Sequence, residues 1–152
     1  MATRSVFVRT AAALALAALG LAGCDTMKSM TSGGAEHFGA TLSAGEEVPP
    51  NASTGTGSAD VTYNSSTGTL SYRVTYSGLS GPATAGHIHG PAAPGANAGV
   101  VVPFASAASS PITGEAKITP EQFNQLASGQ YYVNIHTARN PGGEIRGQLR
   151  RR

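Results

Sequence analysis

Apolar and polar residues alternate through much of this chain with the period of a strand. Leu70, Tyr72, Val74 and Tyr76 fall on every second position. Residues two apart project from one face of a strand, so these four predict a core-facing stripe. Residues 57–63 alternate in the same way, and Asn64-Ser65-Ser66-Thr67-Gly68 between the two runs reads as a hairpin turn. Shorter runs at 38–42, 85–89, 100–104, 115–118, 131–136 and 144–149 predict further strands, bounded by Gly, Pro, Asn and Ser. Asn140-Pro141-Gly142-Gly143 is a turn of this kind. One segment breaks the pattern. Thr119 has the character of a helix N-cap, Pro120 suits the first helical position, and Gln122 follows three residues after the cap. A short helix is predicted there, with Phe123 and Leu126 toward the core and Gly129 ending it. Many short strands and one short helix predict an all-β domain: an antiparallel Greek-key β-sandwich or barrel with a single core.

The first thirty residues follow a different pattern. Arg4 and Arg9 precede an uncharged Ala- and Leu-rich run over 10–22. A membrane-spanning helix needs roughly 20 apolar residues, so this run is too short to stay in a bilayer. A charged start, a short apolar run and a small-residue ending are the marks of a secretory signal. Its ending, Leu21-Ala22-Gly23-Cys24, resembles the lipobox of bacterial lipoproteins. That resemblance implies a diacylglycerol on the Cys24 thiol, removal of residues 1–23 as a signal peptide, and Cys24 as the first mature residue. The chain has one Cys, so no internal disulfide can form. Asp25 resembles the inner-membrane retention signal of enterobacterial lipoproteins. Residues 24–37 are expected to be the lipidated Cys and a flexible tether, and residues 38–150 the β domain. The expected location is the cell envelope, lipid-anchored, facing the periplasm or on the cell surface.

Charge adds little. A net charge of +2 gives no basis for nucleic acid binding. The basic excess lies at Arg146, Arg150, Arg151 and Arg152, and the last three are expected to form a frayed, solvated end beside a membrane surface. Glu46 and Glu47 are expected to pair on the surface with Arg73 or Arg139, and Glu144 with Arg146. No Ser-His-Asp set, phosphate-binding loop or pair of catalytic carboxylates can be assigned.

Candidate chemistry concentrates at His87-Ile88-His89. On a strand the two imidazoles share a face and can grip one metal ion with little ordering cost, while Ile88 turns inward. His136 ends another predicted strand and can supply a third nitrogen. Imidazole suits copper, zinc, nickel and iron. Asn134 shares a face with His136 and is expected to orient it from behind. His37 is expected to be exposed and apart from this set.

Three longer motifs carry a family resemblance: Ala85-Gly86-His87-Ile88-His89-Gly90-Pro91, Tyr132-Val133-Asn134-Ile135-His136-Thr137, and residues 140–149 from Asn140 to Leu149. With Gly45-Glu46-Glu47-Val48-Pro49-Pro50 they resemble, in order, the CHRD domain first described in chordin. The resemblance implies an antiparallel β fold and says little of activity. A more distant likeness is to copper,zinc superoxide dismutases. Carried over by position, it implies His87, His89 and His136 as copper ligands and Arg146 as an anion-facing cation. The bridging His, the zinc ligands and the disulfide of that family have no counterpart, so at most a mononuclear copper site is implied. The leading expectation is a membrane-anchored, extracytoplasmic module that binds metal, copper first, for metal handling or tolerance, with an envelope protein as further partner. The alternative is a non-catalytic envelope interaction domain without metal. A copper-only dismutase ranks behind both.

Overall fold

The computed structural model describes Met1 and residues 34–152. The expected signal peptide, Cys24 and most of the expected tether lie outside the described residues. Nine strands are found among the described residues: β1 (Ala35–Ser43), β2 (Thr56–Asn64), β3 (Thr69–Ser77), β4 (Ala83–His89), β5 (Val100–Pro103), β6 (Ile112–Lys117), β7 (Tyr132–Thr137), β8 (Ile145–Gln148) and β9 (Arg150–Arg151). The helix α1 (Pro120–Ala127) lies between β6 and β7. The strands form one antiparallel sheet in the order β5-β4-β7-β8-β1-β2-β3-β6, with β9 paired to β1. This is a nearly closed all-β barrel with one short helix, as the alternation predicted.

The pattern of side chains explains the closure. Leu70, Tyr72 and Val74 of β3 are buried, with Val61 and Tyr63 of β2 and Phe38 and Leu42 of β1 packed in the same core. Tyr72 stacks on Phe104 with ring centroids 4.6 Å apart. At α1 the predicted capping box forms in full: Thr119 Oγ1 accepts from the Gln122 N–H, and Gln122 Oε1 accepts from the Thr119 N–H. Leu126 is fully buried, and Phe123 stacks on Tyr63 at 4.2 Å. Gly129, at φ +72°, ends the helix in a conformation that disfavours other residues.

Two features at the chain ends differ from the sequence expectation. Strand β1 starts at Ala35, inside the expected tether, because Ala35 to His37 continue the ladder with β2 as far as Asn64. His37 is nonetheless exposed, as expected. The basic C-terminus is not frayed: Arg150 and Arg151 pair with Gly39 and Phe38. Arg151 also bridges to Glu36 at 2.8 Å, and Arg152 bridges to Asp60.

The sheet has two free edges. Strand β5 is four residues long and ends at Pro103, while β6 carries Glu115 and Lys117. On β7 all six residues are buried, which a half-exposed strand would not show. Val133 and Ile135 belong to the core, so Tyr132, Asn134 and His136 must be covered from outside. The segment 90–99 between β4 and β5 covers the Tyr132 end, and the Pro141 carbonyl meets His136 at the other. The Ala98, Ala96 and Ala92 carbonyls of that segment accept hydrogen bonds from His89, Arg146 and Gln148 in turn.

Candidate metal centre

Strands β4 and β7 pair so that His87 lies opposite Asn134 and Ala85 opposite His136. The two-residue period then puts His87, His89, Asn134 and His136 on one outer patch, with Ile88 and Ile135 buried beneath. The three histidines that sequence spacing selected therefore converge. One nitrogen from each lies within 4.8 Å of the others. His87 Nδ1 is 3.0 Å from His136 Nε2. His89 and His136 are buried, and His87 is half-buried and so forms the side of the site nearest solvent.

Each buried imidazole is held from behind. The Nδ1–H of His89 donates to the Ala98 carbonyl at 3.0 Å, and that of His136 to the Pro141 carbonyl at 3.0 Å. A carbonyl only accepts, so Nδ1 must carry the hydrogen, and the uncharged ring then keeps its lone pair on Nε2. A backbone carbonyl fixing the far nitrogen of a ligating imidazole is the usual support of a metal-binding histidine. Charge favours ligation too. Burial, with His136 and His89 nearby, pushes His87 down to about 4. Burial also lowers His136, against the opposing hydrogen bond to Pro141. Both rings are thus uncharged near neutrality and do not repel a cation.

Behind His89 stands a stack. Tyr132 lies parallel to the His89 ring with centroids 4.8 Å apart, and the Arg146 guanidinium sits over the Tyr132 ring, 3.5 Å from its centre. Arg146 also donates to Asn97 Oδ1 at 3.0 Å and to the Ala96 carbonyl at 2.7 Å. It is 1 % exposed. Where an anion-facing role was expected, this guanidinium clamps segment 90–99 against the sheet through these two bonds. The expected Glu144–Arg146 ion pair is also absent among the described contacts. Glu144, fully buried, instead accepts from Ser53 Oγ, Ser80 Oγ, the Ser80 N–H and Thr137 Oγ1 at 2.5–2.7 Å. Burial alone would raise its carboxyl, but these bonds overcome burial and hold it down to about 2.

Glu47 was expected on the surface beside Arg73 or Arg139, and the structure buries it. Its carboxyl packs against Gly143, where a Cβ would meet Glu47 Oε1 at 2.4 Å. Gly143 has φ +136°, so both space and backbone call for glycine there. Burial pushes Glu47 up to about 7, against the pull of Arg146 and a hydrogen bond to Val48. Among the described residues Oε1 has no hydrogen-bond partner. Sequence reasoning placed Asn134 behind His136 alone. In the structure its Oδ1 lies 2.9 Å from His136 Nε2 and 3.0 Å from His89 Nε2, so it stands among the ligand nitrogens.

A family profile described as the CHRD domain matches residues 38–149. No curated protein and no solved structure matches the chain.

Proposed function

The chain belongs to the CHRD domain family, and from that premise we propose that it is an extracytoplasmic copper-binding module whose ligands are His87, His89 and His136. The observation that carries this reading is the convergence of three imidazole nitrogens, two of them with the opposite Nδ1–H tied to a backbone carbonyl. An all-imidazole set suits copper among the divalent first-row ions, because copper binds such donors most tightly. Beyond a metal site no catalytic machinery is evident among the described residues, and CHRD-type domains are typically non-catalytic modules. The role proposed is therefore holding or passing on the ion for tolerance or delivery, not turnover.

The test is copper binding by the full chain in detergent, beside a variant with His87, His89 and His136 all changed to Ala. The expected result is one copper per chain, lost in the variant while the circular dichroism of the barrel is kept. Equal binding by both proteins would overturn the reading. The lipobox-like Leu21-Ala22-Gly23-Cys24 further supports anchoring to the cell envelope through lipid on Cys24. Cells fed an alkyne fatty acid should label the chain, and Cys24→Ser should abolish the label. Labelling that survives Cys24→Ser would refute the anchor.

A further inference from the structure

The three histidines leave a metal ion short of donors, and a fourth group already stands in the gap. Asn134 is 3 % exposed and projects from β7 between His136, two residues along the strand, and His89, two residues along β4 from Asn134's register partner His87. Its Oδ1 is 3.0 Å from His89 Nε2 and 2.9 Å from His136 Nε2, while His136 Nε2 is 3.0 Å from His87 Nδ1. The four atoms thus run in order His89, Asn134, His136, His87, each about one hydrogen-bond length from the next.

His87 Nδ1–H can donate to His136 Nε2, but the two contacts of Asn134 Oδ1 are not satisfied in this way. The Nδ1–H groups of His89 and His136 are committed to the Ala98 and Pro141 carbonyls. With Nδ1 carrying a neutral ring's one hydrogen, each Nε2 has a lone pair to present to an oxygen that also has only lone pairs. Three electron-rich atoms crowded at 3 Å in a buried place are stable around a cation and costly without one. The spacing is informative in itself. For bonds of about 2 Å, neighbouring ligands on one ion are about 2.8 Å apart in a square plane and about 3.3 Å apart in a tetrahedron. The observed separations of 2.9–3.0 Å lie between these two values, within reach of a single ion. Tetragonal sites of nitrogen and oxygen donors are those that copper(II) prefers, whereas zinc favours the tetrahedron.

We infer that Asn134 Oδ1 is a fourth ligand, completing an N3O set for copper(II) with His87, His89 and His136. The inference rests on the copper reading above and adds to it both a donor and an oxidation state. The four donors lie along paired strands β4 and β7, with His89 tied to segment 90–99 through the Ala98 carbonyl.

Copper(II) titration and electron paramagnetic resonance of the full chain in detergent test this, with Asn134→Leu and Asn134→Asp beside the unsubstituted protein. Leucine keeps the volume and removes the donor. Copper(II) affinity should fall at least tenfold and the parallel g and hyperfine values should shift, because one equatorial oxygen is replaced by water or lost. Aspartate keeps an oxygen and adds charge, so affinity should be equal or higher, again with altered g and hyperfine values. Asn134→Leu binding copper(II) as tightly as the unsubstituted protein with the same spectrum would overturn the fourth ligand and leave the three histidines standing. Tighter binding by Asn134→Leu would also overturn it, showing that the amide NH2 caps the imidazole lone pairs and competes with metal. No copper(II) uptake by the unsubstituted chain would instead remove the underlying reading, and this inference with it.

Discussion

At the scale of single residues, the site is shaped by groups that never touch a ligand atom. Glu144 is one. It anchors the 51–53 and 80 segments to the end of β7, through Ser53, Ser80 and Thr137, just after His136. Four short donors converge on one charged carboxylate, and charged hydrogen bonds of this kind contribute more than neutral ones. Glu144→Gln replaces an acceptor oxygen by an NH2 that faces the same donors. Urea unfolding should show a loss of about 2–3 kcal/mol, and a loss under about 0.5 kcal/mol would mean that the cluster rearranges freely. Arg146 acts at the same scale. Its guanidinium packs on Tyr132 and Tyr132 on His89, so one imidazole of the candidate site is braced by a cation beyond the Tyr132 ring.

At the scale of elements, the segment 90–99 decides whether the outer patch of β4 and β7 is a site or a bare surface. Arg146 and Asn97 hold it down, and Asn97 Nδ2 ties it on to the Val48 carbonyl at 2.9 Å. Asn97 is itself exposed, so Asn97→Ala should cost little in global stability. Because the Ala98 carbonyl next to it fixes the His89 tautomer, copper affinity should drop by about tenfold, as outer-shell changes do. Isothermal titration beside thermal unfolding separates the two effects, and an unchanged affinity would show that the cover does not position His89. This element also marks where the sequence became illegible. The strands of the hairpin 57–76 were plain because one face of each is apolar, and α1 was plain because its cap residues act locally. His87, His89 and His136 could be selected because the strand period is two, and the pairing of β4 with β7 then brought them together. Residues 90–99 are Gly, Pro, Ala and one Asn, with no periodicity to show what they cover. Hence Glu47 and Arg146, which look like surface charges in the sequence, are buried in the molecule. The role of Asn134 toward His89 was hidden for a similar reason, since it depends on cross-strand register.

At the scale of the whole molecule, buried titratable groups make stability depend on pH in opposed directions. The folded pKa of Glu47 is raised from the usual carboxylate range to about 7. A raised acid favours the folded state below about pH 4.5, and this contribution fades as pH climbs through 7. His87 and His136 are lowered, so their contribution is full above about pH 6.5 and fades as pH falls. The total profile therefore mixes the two, and only a difference isolates the carboxyl. Relative to Glu47→Gln, the unsubstituted protein should lose on the order of 2 kcal/mol between pH 5 and pH 8. Parallel urea titrations at the two pH values measure that gap, and a constant gap would mean that Glu47 ionises normally. The open ends of the sheet carry a last consequence. A polymer of such domains would have to grow by adding the strand of one copy to the rim of another. The β5 rim is four residues long and closes with Pro103, which has no N–H to offer, and the β6 rim brings Glu115 and Lys117 to any incoming backbone. A crowded layer of these domains would thus be poorly able to knit into fibrils, and copies packed side by side would remain separate, each with its own histidine cluster.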